Sequence, residues 1–370
     1  MKILIATDFY KPAYKAGGPI KSIYNLVRHF DNKDSFDIVT SNRDIDNVDL
    51  DVACGKFIGH DCCRVSYFNS VSCIVKFLKL NSDFYDVIYL NSFFSFKFSI
   101  LIQILIRLKI IRAGKVVLAP RGELSAGAMK LKALKKVLYT WFYTKSGLGR
   151  DVKFHFTSLG ERDEARNYID IGDSIVVPNT ADLPPPFIKK FKTSGSLNLI
   201  FLSRISEKKN LLTLCEAISK VSGCDILFTI AGNIEDKLYW ERCKKIIDGY
   251  GENVTVRILG ALDSDDVKSE LSKSHLFCLP TFNENYGHAI VEALSYSNLV
   301  LLSDQTPWSG VQNFGGRIVD CYDYDSIADY INHVSNLNES AYNSLSLESY
   351  NYVVDCLNRD NKLVGGLFND

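Results

Sequence analysis

The sequence predicts an α/β protein made of two parallel-sheet domains in tandem. Short apolar runs alternate with helix-length segments along almost the whole chain, a pattern typical of βαβ units in a parallel sheet. The alternation breaks at Leu183-Pro184-Pro185-Pro186 and the polar residues after it, because successive prolines continue neither a helix nor a central strand. The length of 370 residues fits two domains of roughly 100–200 residues each.

The break in the alternation sets the predicted domain boundaries. We expect a first domain at residues 1–183, a linker at 184–196, a second domain at 197–340 and a helical tail at 341–370. Packing back onto the first domain is one role that we consider for the tail.

Each domain is predicted from six apolar runs. In the first domain they are residues 3–8, 36–41, 87–91, 116–120, 154–158 and 175–178, with helices at 19–30, 71–80 and 130–145 between some of them. In the second domain they are residues 199–203, 226–231, 254–259, 276–280, 299–303 and 317–319, with helices at 211–221, 237–250, 265–274, 287–297 and 326–336. Ligands of such sheets bind at the carboxyl ends of the strands. We therefore expect the two sheets to face each other across a ligand-binding cleft.

Composition excludes several classes of protein. The chain is 46% hydrophobic and has 43 basic and 43 acidic residues, so it is neither disordered nor globally basic, and we expect no nucleic-acid partner. Its ten cysteines show no CxxC pair and no zinc-like spacing, which favours reduced thiols and no bound metal. Asp8 interrupts the first apolar run and charges interrupt residues 98–111, so we expect a cytoplasmic protein without a signal peptide or membrane span.

The most informative segment surrounds two glutamates. A buried strand is predicted to end at Pro280, a loop carries Glu284, and a helix opens near Gly287 and carries Glu292. The N–H groups at the start of a helix form an anion site suited to a diphosphate, and adjacent carboxylates can accept hydrogen bonds from sugar hydroxyls. The alternative is that both glutamates are solvated surface acids.

A basic segment follows the first strand of the second domain. Arg204 and Lys209 are predicted at its carboxyl end, where a guanidinium and an ammonium group suit a diphosphate whose charge grows as its bond to a sugar breaks. The alternative is an exposed basic turn.

A glycine pair follows the first strand of the chain. Gly17 and Gly18 precede Pro19 at the start of a predicted helix, and glycine lets the backbone approach a ligand closely. The loop lacks the GxGxxG pattern, which weakens a dinucleotide-binding interpretation. The alternative is an ordinary βα loop.

Together these segments resemble retaining glycosyltransferases of family 4, which have the GT-B fold of two Rossmann-like domains. Glu284 and Glu292 match the family's E-x7-E motif, and the basic segment resembles its phosphate motif. Gly17-Gly18, Thr157-Ser158…Glu161 and Val177-Pro178-Asn179 resemble further family segments, so that the likeness covers residue 1 to about 335.

The resemblance implies a function and a set of site residues. It implies that the second domain binds a nucleotide-sugar donor, that the first binds a glycan or lipid-linked acceptor, and that no metal or other cofactor is needed. Glu284 would contact the donor sugar, Glu292 the ribose, and Arg204 and Lys209 the diphosphate. Asn285, Tyr286, Gly287 and His288 would complete the donor site with Gly17 and Gly18. The bacterial members build surface polysaccharides, such as O-antigen or capsule, or glycolipids.

One loop departs from the family pattern. Many members carry a histidine after the fourth strand of the first domain, whereas this chain has Pro120-Arg121-Gly122-Glu123 there. Arg121 or Glu123 would occupy that active-site or acceptor position. The alternative is that Arg121 forms a loop ion pair, for example with Glu123.

A basic and aromatic stretch covers residues 130–150. It contains Lys130, Lys132, Lys135, Lys136, Trp141, Phe142, Tyr143, Lys145 and Arg150 and no acidic residue. Such a helix can lie on an anionic membrane surface, which would make the protein peripheral on the inner face of the membrane. The alternative is a solvated helix whose aromatic residues pack inward.

Other functions share the predicted architecture. They are a sugar-nucleotide epimerase, a phosphorylase, and a non-catalytic nucleotide-sugar-binding protein. An epimerase would need acid and base groups in both domains, and the sequence does not show them clearly. The complete glutamate and basic segments argue against a non-catalytic protein.

Overall fold

A computed structural model describes residues 1–30, 34–130 and 133–368. The chain forms two compact units, of which the first comprises Met1–Ala181 together with the C-terminal residues from Arg359, and the second comprises Asp182–Asn358. Each unit is built on a largely parallel sheet with helices. The predicted α/β fold class with two parallel-sheet domains is therefore confirmed.

The first unit contains, within the described residues, an eight-stranded sheet in the order β3-β4-β2-β1-β5-β6-β7-β8. The strands are β1 (Lys2–Ala6), β2 (Ser35–Ser41), β3 (Ile58–His60), β4 (Cys63–Phe68), β5 (Val87–Leu90), β6 (Lys115–Leu118), β7 (Val152–Phe156) and β8 (Ser174–Val176). The sequence patterns did not predict β3 and β4. Polar residues interrupt the apolar run of β4, where Arg64 pairs with Asp37 of β2 at 2.6 Å. Strand β3 is a short edge strand, antiparallel to β4.

Helices cover both faces of this sheet. They are α1 (Gly18–His29), α2 (Val71–Asn81), α3 (Leu101–Arg107), α4 (Ala126–Lys130), α5 (Ala133–Ser146) and α6 (Leu159–Ala165). Ile3 and Ile5 of β1 belong to the core cluster that includes α1 residues, whereas Leu4 and Ala6 belong to the cluster formed with α2, α3 and α5. Burial of both faces explains the unbroken apolar run of β1.

The second unit has six parallel strands, all within the described residues, in the order β11-β10-β9-β12-β13-β14. They are β9 (Ser196–Leu202), β10 (Asp225–Ala231), β11 (Val254–Gly260), β12 (Leu276–Leu279), β13 (Leu299–Ser303) and β14 (Arg317–Val319). The helices are α7 (Leu211–Ile218), α8 (Lys237–Ile247), α9 (Ser264–Lys273), α10 (His288–Ser295), α11 (Tyr324–Asn336) and α12 (Glu339–Val364). The strand order is that of a doubly wound nucleotide-binding domain.

The segment predicted as a linker packs on the second unit. Lys190 is buried, and its Nζ donates to the Leu271 carbonyl at 2.9 Å and to Asn298 Oδ1 at 3.0 Å. Lys192 donates in the same way to the Ser335 carbonyl at 2.7 Å. Two lysines with carbonyl and amide acceptors thus fix this extended stretch before β9 begins.

Helix α12 contributes to both units. Tyr342 near its start donates a hydrogen bond to the His275 carbonyl at 2.8 Å, within the second unit. Residues after its end, Leu367 and Phe368, are buried in the core of the first unit. The ring of Phe368 lies 5.2 Å from that of Phe30.

Two further searches cover the described residues. None of their helices is both long and apolar enough to cross a bilayer. They also contain no group of three or more His, Cys, Asp or Glu side chains that could hold a metal ion.

Candidate functional site

The strand order of the second unit places its candidate site between β9 and β12. These neighbouring strands mark the point where the chain changes its direction across the sheet. Ligands of open α/β sheets bind outside the carboxyl ends of the strands at this point. The loop after β9 carries Arg204 and Lys209, and the loop after β12 carries Glu284.

Lys209 and Glu284 form an ion pair. Lys209 Nζ lies 2.5 Å from Glu284 Oε2, and only 10% and 19% of the two side chains are exposed. Burial acts to raise the pKa of Glu284, but the charge and hydrogen bond of Lys209 outweigh it, so that the pKa lies below its usual range. Glu284 is therefore ionised at neutral pH and faces a cation across a short gap.

Lys208 and Arg204 add positive charge beside this pair. Burial lowers the pKa of the Lys208 ammonium, and the charges of Lys209 and Arg204 lower it further. Arg204 is half-exposed, and its Nη1 lies 3.0 Å from both carboxylate oxygens of Glu235. The structure thus pairs Arg204 with Glu235 and Lys209 with Glu284. Three clustered cations favour an anionic ligand.

Asn210 ties the loops of the site together. It has a left-handed conformation, with φ 56°, directly before α7, and asparagine tolerates this conformation better than most residues. Its Nδ2 donates to the carbonyls of Pro280 at 2.9 Å and Cys321 at 2.7 Å, and its Oδ1 accepts from Thr213. The side chain therefore connects the loops that follow β9, β12 and β14.

The loop that carries Glu284 is fixed from the side of β13. The Glu284 N–H donates to the Gln305 carbonyl at 3.0 Å, and Trp308 Nε1 donates to the Tyr286 carbonyl at 2.5 Å. Gly287 has φ 79°, and a Cβ there would lie 2.6 Å from Ile290 Cδ1. The turn before α10 therefore requires glycine both for its conformation and for space.

Helix α10 begins at His288 and carries Glu292. The ring of His288 lies edge-on to that of Tyr286, with 4.8 Å between centroids. Glu292 is close enough to α9 for its charge to raise the pKa of Lys268, an effect smaller than that of the hydrogen bond with Asp265. The structure thus places Glu292 on the side of α10 that approaches α9, and Asn285 precedes the helix in the Glu284 loop.

Another close approach lies between β9 and β10. A Cβ on Gly232, which has φ 144°, would overlap the carbonyl oxygen of Ser203. The loop after β10 therefore lies directly against the loop that carries Arg204. Sequence reasoning missed Gly232, together with Asn210, Glu235, Gln305 and Trp308. Their signal is weak, since each is one polar or small residue in the few positions after a strand.

The glycine pair of the first unit lies at the start of α1. Gly17 has φ 66° and precedes α1, which begins at Gly18. A Cβ on Gly17 would meet no atom within 4 Å, so glycine serves the backbone conformation there. Asp44 fixes the loop by accepting hydrogen bonds from the N–H groups of Tyr14 and Lys15.

Arg121 is held by neutral partners at the carboxyl ends of the strands. It has φ 56°, and its guanidinium donates to Asn91 Oδ1 at 2.7 Å, to Tyr89 Oη at 2.8 Å and to Asn179. Tyr89 is 2.8 Å from Nδ1 of His155. Arg121 therefore connects the ends of β5, β6 and β8.

Glu123 has a separate set of partners. It accepts hydrogen bonds from the Ser92 hydroxyl at 2.9 Å and from the N–H groups of Phe93 and Phe94 at 2.7 and 3.0 Å. Asp8, which the sequence analysis did not select, accepts from Ser95 at 2.8 Å. Burial raises the pKa of both Asp8 and Glu123. The first unit thus gathers two acids near the ends of β1 and β5, where its own strand order changes direction.

Comparisons with known proteins agree with this geometry. Residues 187–347, within the second unit, match the family model described as "Glycosyl transferases group 1". One of the subunits of human phosphatidylinositol N-acetylglucosaminyltransferase is 30% identical over 123 residues. That alignment covers 32% of this chain and spans a quarter (25%) of the length of the human protein.

Solved structures resemble the whole chain. Sucrose-phosphate synthase from Thermosynechococcus elongatus has a TM-score of 0.72 at 15% identity, with 100% of this chain and 98% of that one covered. Anabaena HepE, solved with UDP and glucose, has a TM-score of 0.73 at 15% identity and 99% coverage of both chains. These similarities establish the GT-B fold. Together with the family match they support a glycosyltransferase of group 1 type.

Proposed function

We propose that the protein is a retaining glycosyltransferase that moves a hexose-type sugar from a nucleotide-sugar donor to a glycan or lipid-linked acceptor. The second unit binds the donor and the first binds the acceptor. The observation that carries this proposal is the Lys209–Glu284 pair, 2.5 Å apart in the loops that follow β9 and β12. Residues 187–347, which match the group 1 model, include both residues, and the structural relative HepE was solved with UDP and glucose.

The cation cluster is suited to the donor diphosphate. Lys208, Lys209 and Arg204 repel one another, as the lowered pKa of Lys208 indicates, and a diphosphate between them would remove that repulsion. As the bond from phosphate to sugar breaks, negative charge grows on the leaving oxygen. Cations already fixed in place then stabilise the transition state more than the bound donor.

Glu284 is suited to hold the donor sugar. Its pKa lies below the usual range, so it is a carboxylate that accepts hydrogen bonds from sugar hydroxyls. When the diphosphate takes Lys209 as its partner, one carboxylate oxygen becomes available to the sugar. The pair thus keeps two charged side chains compensated until the donor arrives.

The start of α10 supplies the remaining donor contacts. Its first N–H groups lie outside the helical hydrogen-bond ladder and favour an anion, and Gly287 lets the backbone approach the ligand closely. Glu292 is assigned to the ribose, and Asn285, Tyr286 and His288 line the turn beside it.

Retention is explained without a protein nucleophile. The acceptor hydroxyl attacks from the face that the leaving group occupies, and a phosphate oxygen takes its proton. Gly17 and Gly18 approach the donor from the first unit, and Arg121 and Glu123 shape the acceptor side. The product belongs to a surface polysaccharide or glycolipid, made in the cytoplasm at the inner face of the membrane.

A thermal-shift screen tests the donor proposal. The chain is melted with UDP, GDP, ADP and their sugars, and one nucleotide series is expected to raise the melting temperature, because a ligand of the native state stabilises it by mass action. Lys209→Ala should abolish the shift. Lys220→Ala should keep it, because Lys220 forms an exposed ion pair of the same length, 2.5 Å, with Asp325.

Two outcomes would contradict the donor proposal. One is that no nucleotide changes the melting temperature, and the other is that Lys209→Ala responds as the wild type does. Retention is tested separately by NMR of the first-formed product, whose anomeric configuration should equal that of the donor sugar.

A further inference from the structure

Helix α5 has an inner and an outer apolar face. On the inner face Tyr143 is 1% exposed, its ring lies 4.8 Å from that of Phe93, and its hydroxyl donates to Gln103 at 3.1 Å. This face packs on the core of the first unit. The helix therefore needs no further apolar residues for its own packing.

The outer face of α5 is nevertheless apolar and open to solvent. Its exposed apolar side chains are Leu134 (84%), Val137 (54%), Leu138 (64%), Trp141 (60%) and Phe142 (45%). At about 100° per residue, these five positions fall within an arc of about 140°. The outward arc of a helix in a water-exposed domain is normally polar, and a contiguous apolar patch of this kind marks an interaction surface.

The charges around the outer face are of one sign. Lys130, Lys135, Lys145 and Arg150 are exposed, and the sequence has no Asp or Glu between residues 129 and 150. Lys136 lies inward, where its Nζ donates to the Ala128 carbonyl at 2.8 Å. Lys132, part of the predicted basic stretch, lies outside the described residues.

We propose that the outer face of α5 docks the protein on an anionic lipid bilayer. The five apolar side chains enter the boundary between headgroups and acyl chains, and the flanking cations contact the anionic headgroups. A second copy of the chain is a poorer partner, because a symmetric contact would bring the same lysines together. The inference depends on the proposed function only for the idea of a lipid-linked acceptor.

Tryptophan fluorescence provides a direct test. Of the three tryptophans, all within the described residues, Trp141 is 60% exposed, Trp240 is 7% and Trp308 is 4%. Vesicles of phosphatidylcholine with phosphatidylglycerol should shift the emission of the full chain to the blue. Phosphatidylcholine alone should not, and high salt should reverse the shift. The absence of any shift with anionic vesicles would overturn the proposal.

Variants place the contact on α5. In flotation with anionic vesicles, Leu138→Glu and Trp141→Glu should each lower the bound fraction at least about tenfold. Leu238→Glu, at an 81% exposed position of α8, should bind like the wild type. Trp141→Phe should float normally but lose the fluorescence shift. Melting temperatures equal to the wild type would show that the variants fold.

Other results would count against the bilayer. Equal loss with Leu238→Glu would mean that binding is not specific to α5. A wild-type dimer in sedimentation velocity that dissociates on Leu138→Glu and ignores vesicles would identify a second copy as the partner. Vesicle binding requires no sugar transfer, so loss of the donor response and loss of flotation are separate results.

Discussion

The Lys209–Glu284 pair is chemically unusual because both charges are largely removed from water. Desolvation of two ions is costly, and a buried pair often contributes little net stability. The second unit keeps the pair at the position in the sheet where ligands bind. This arrangement is more consistent with ligand binding than with stabilisation of the fold.

Substitution of either partner should therefore lower activity more than stability. We expect Glu284→Ala and Lys209→Ala each to reduce kcat/KM by more than about tenfold, because each removes a charge-assisted contact to the transition state. Steady-state kinetics with the donor identified by thermal shift measures this. Lys220→Ala serves as the control, and wild-type activity in either site variant would contradict the assignment.

Gly287 and Gly17 allow conformation to be separated from space. Both have positive φ, but a Cβ on Gly287 would lie 2.6 Å from Ile290 Cδ1, whereas one on Gly17 would meet nothing within 4 Å. Alanine in the left-handed region costs about 1–2 kcal/mol, and overpacking adds about 1–3 kcal/mol. Gly287→Ala should thus lower the free energy of unfolding by more than Gly17→Ala, as measured in urea. Equal losses would show that the Gly287 site relaxes.

At the scale of elements, the candidate site is a set of loops joined by side-chain-to-backbone hydrogen bonds. Asn210 joins the loops after β9, β12 and β14, while Trp308 holds the loop before α10 from the side of β13. The strands fix where the loops begin, and these bonds fix where the charged groups end.

Asn210→Ala tests this arrangement. It removes three hydrogen bonds, each worth about 1 kcal/mol, and puts alanine at φ 56°, so we expect a loss of about 3–5 kcal/mol in the free energy of unfolding. Donor affinity should fall as well. Asn253→Ala is the matched control, because Asn253 donates to Val221 at 3.5 Å and Cys224 at 3.2 Å in a loop away from the site. If both variants keep wild-type donor affinity, Asn210 has only a structural role.

The sequence predicted elements well where burial leaves a simple pattern. Unbroken apolar runs such as β1 and β13 were identified, since both of their faces are covered. Strand β4 was missed because Arg64 and Ser66 interrupt it. The Glu284 loop could be recognised because its strand, loop and helix are consecutive. The pairing of Arg204 with Glu235 and the role of Asn210 depend on loops from distant parts of the chain, which local patterns do not specify.

At the scale of the molecule, each unit contains a histidine kept neutral by its surroundings. Burial lowers the pKa of His155 to about 3 in the first unit and that of His275 to about 4 in the second. The unfolded chain binds a proton at each near pH 6.5. The stabilisation due to the neutral form is therefore complete above pH 6.5 and is lost as the pH falls toward the folded-state values.

We accordingly expect the melting temperature to fall as the pH is lowered from about 6.5 toward 4. His155→Gln, which can hydrogen-bond but does not titrate in this range, should show a weaker dependence on pH than the wild type. Calorimetry across this range measures the slope. Parallel curves for the two proteins would mean that His155 does not contribute.

The burial of Phe368 affects the order in which the chain can mature on the ribosome. Domains generally form as they emerge during synthesis, yet the core of the first unit includes Leu367 and Phe368, with Phe368 only 3% exposed. The second unit, Asp182–Asn358, is translated before these residues. The earlier-made half must therefore wait, with part of its apolar surface uncovered, until the later-made half has been synthesised.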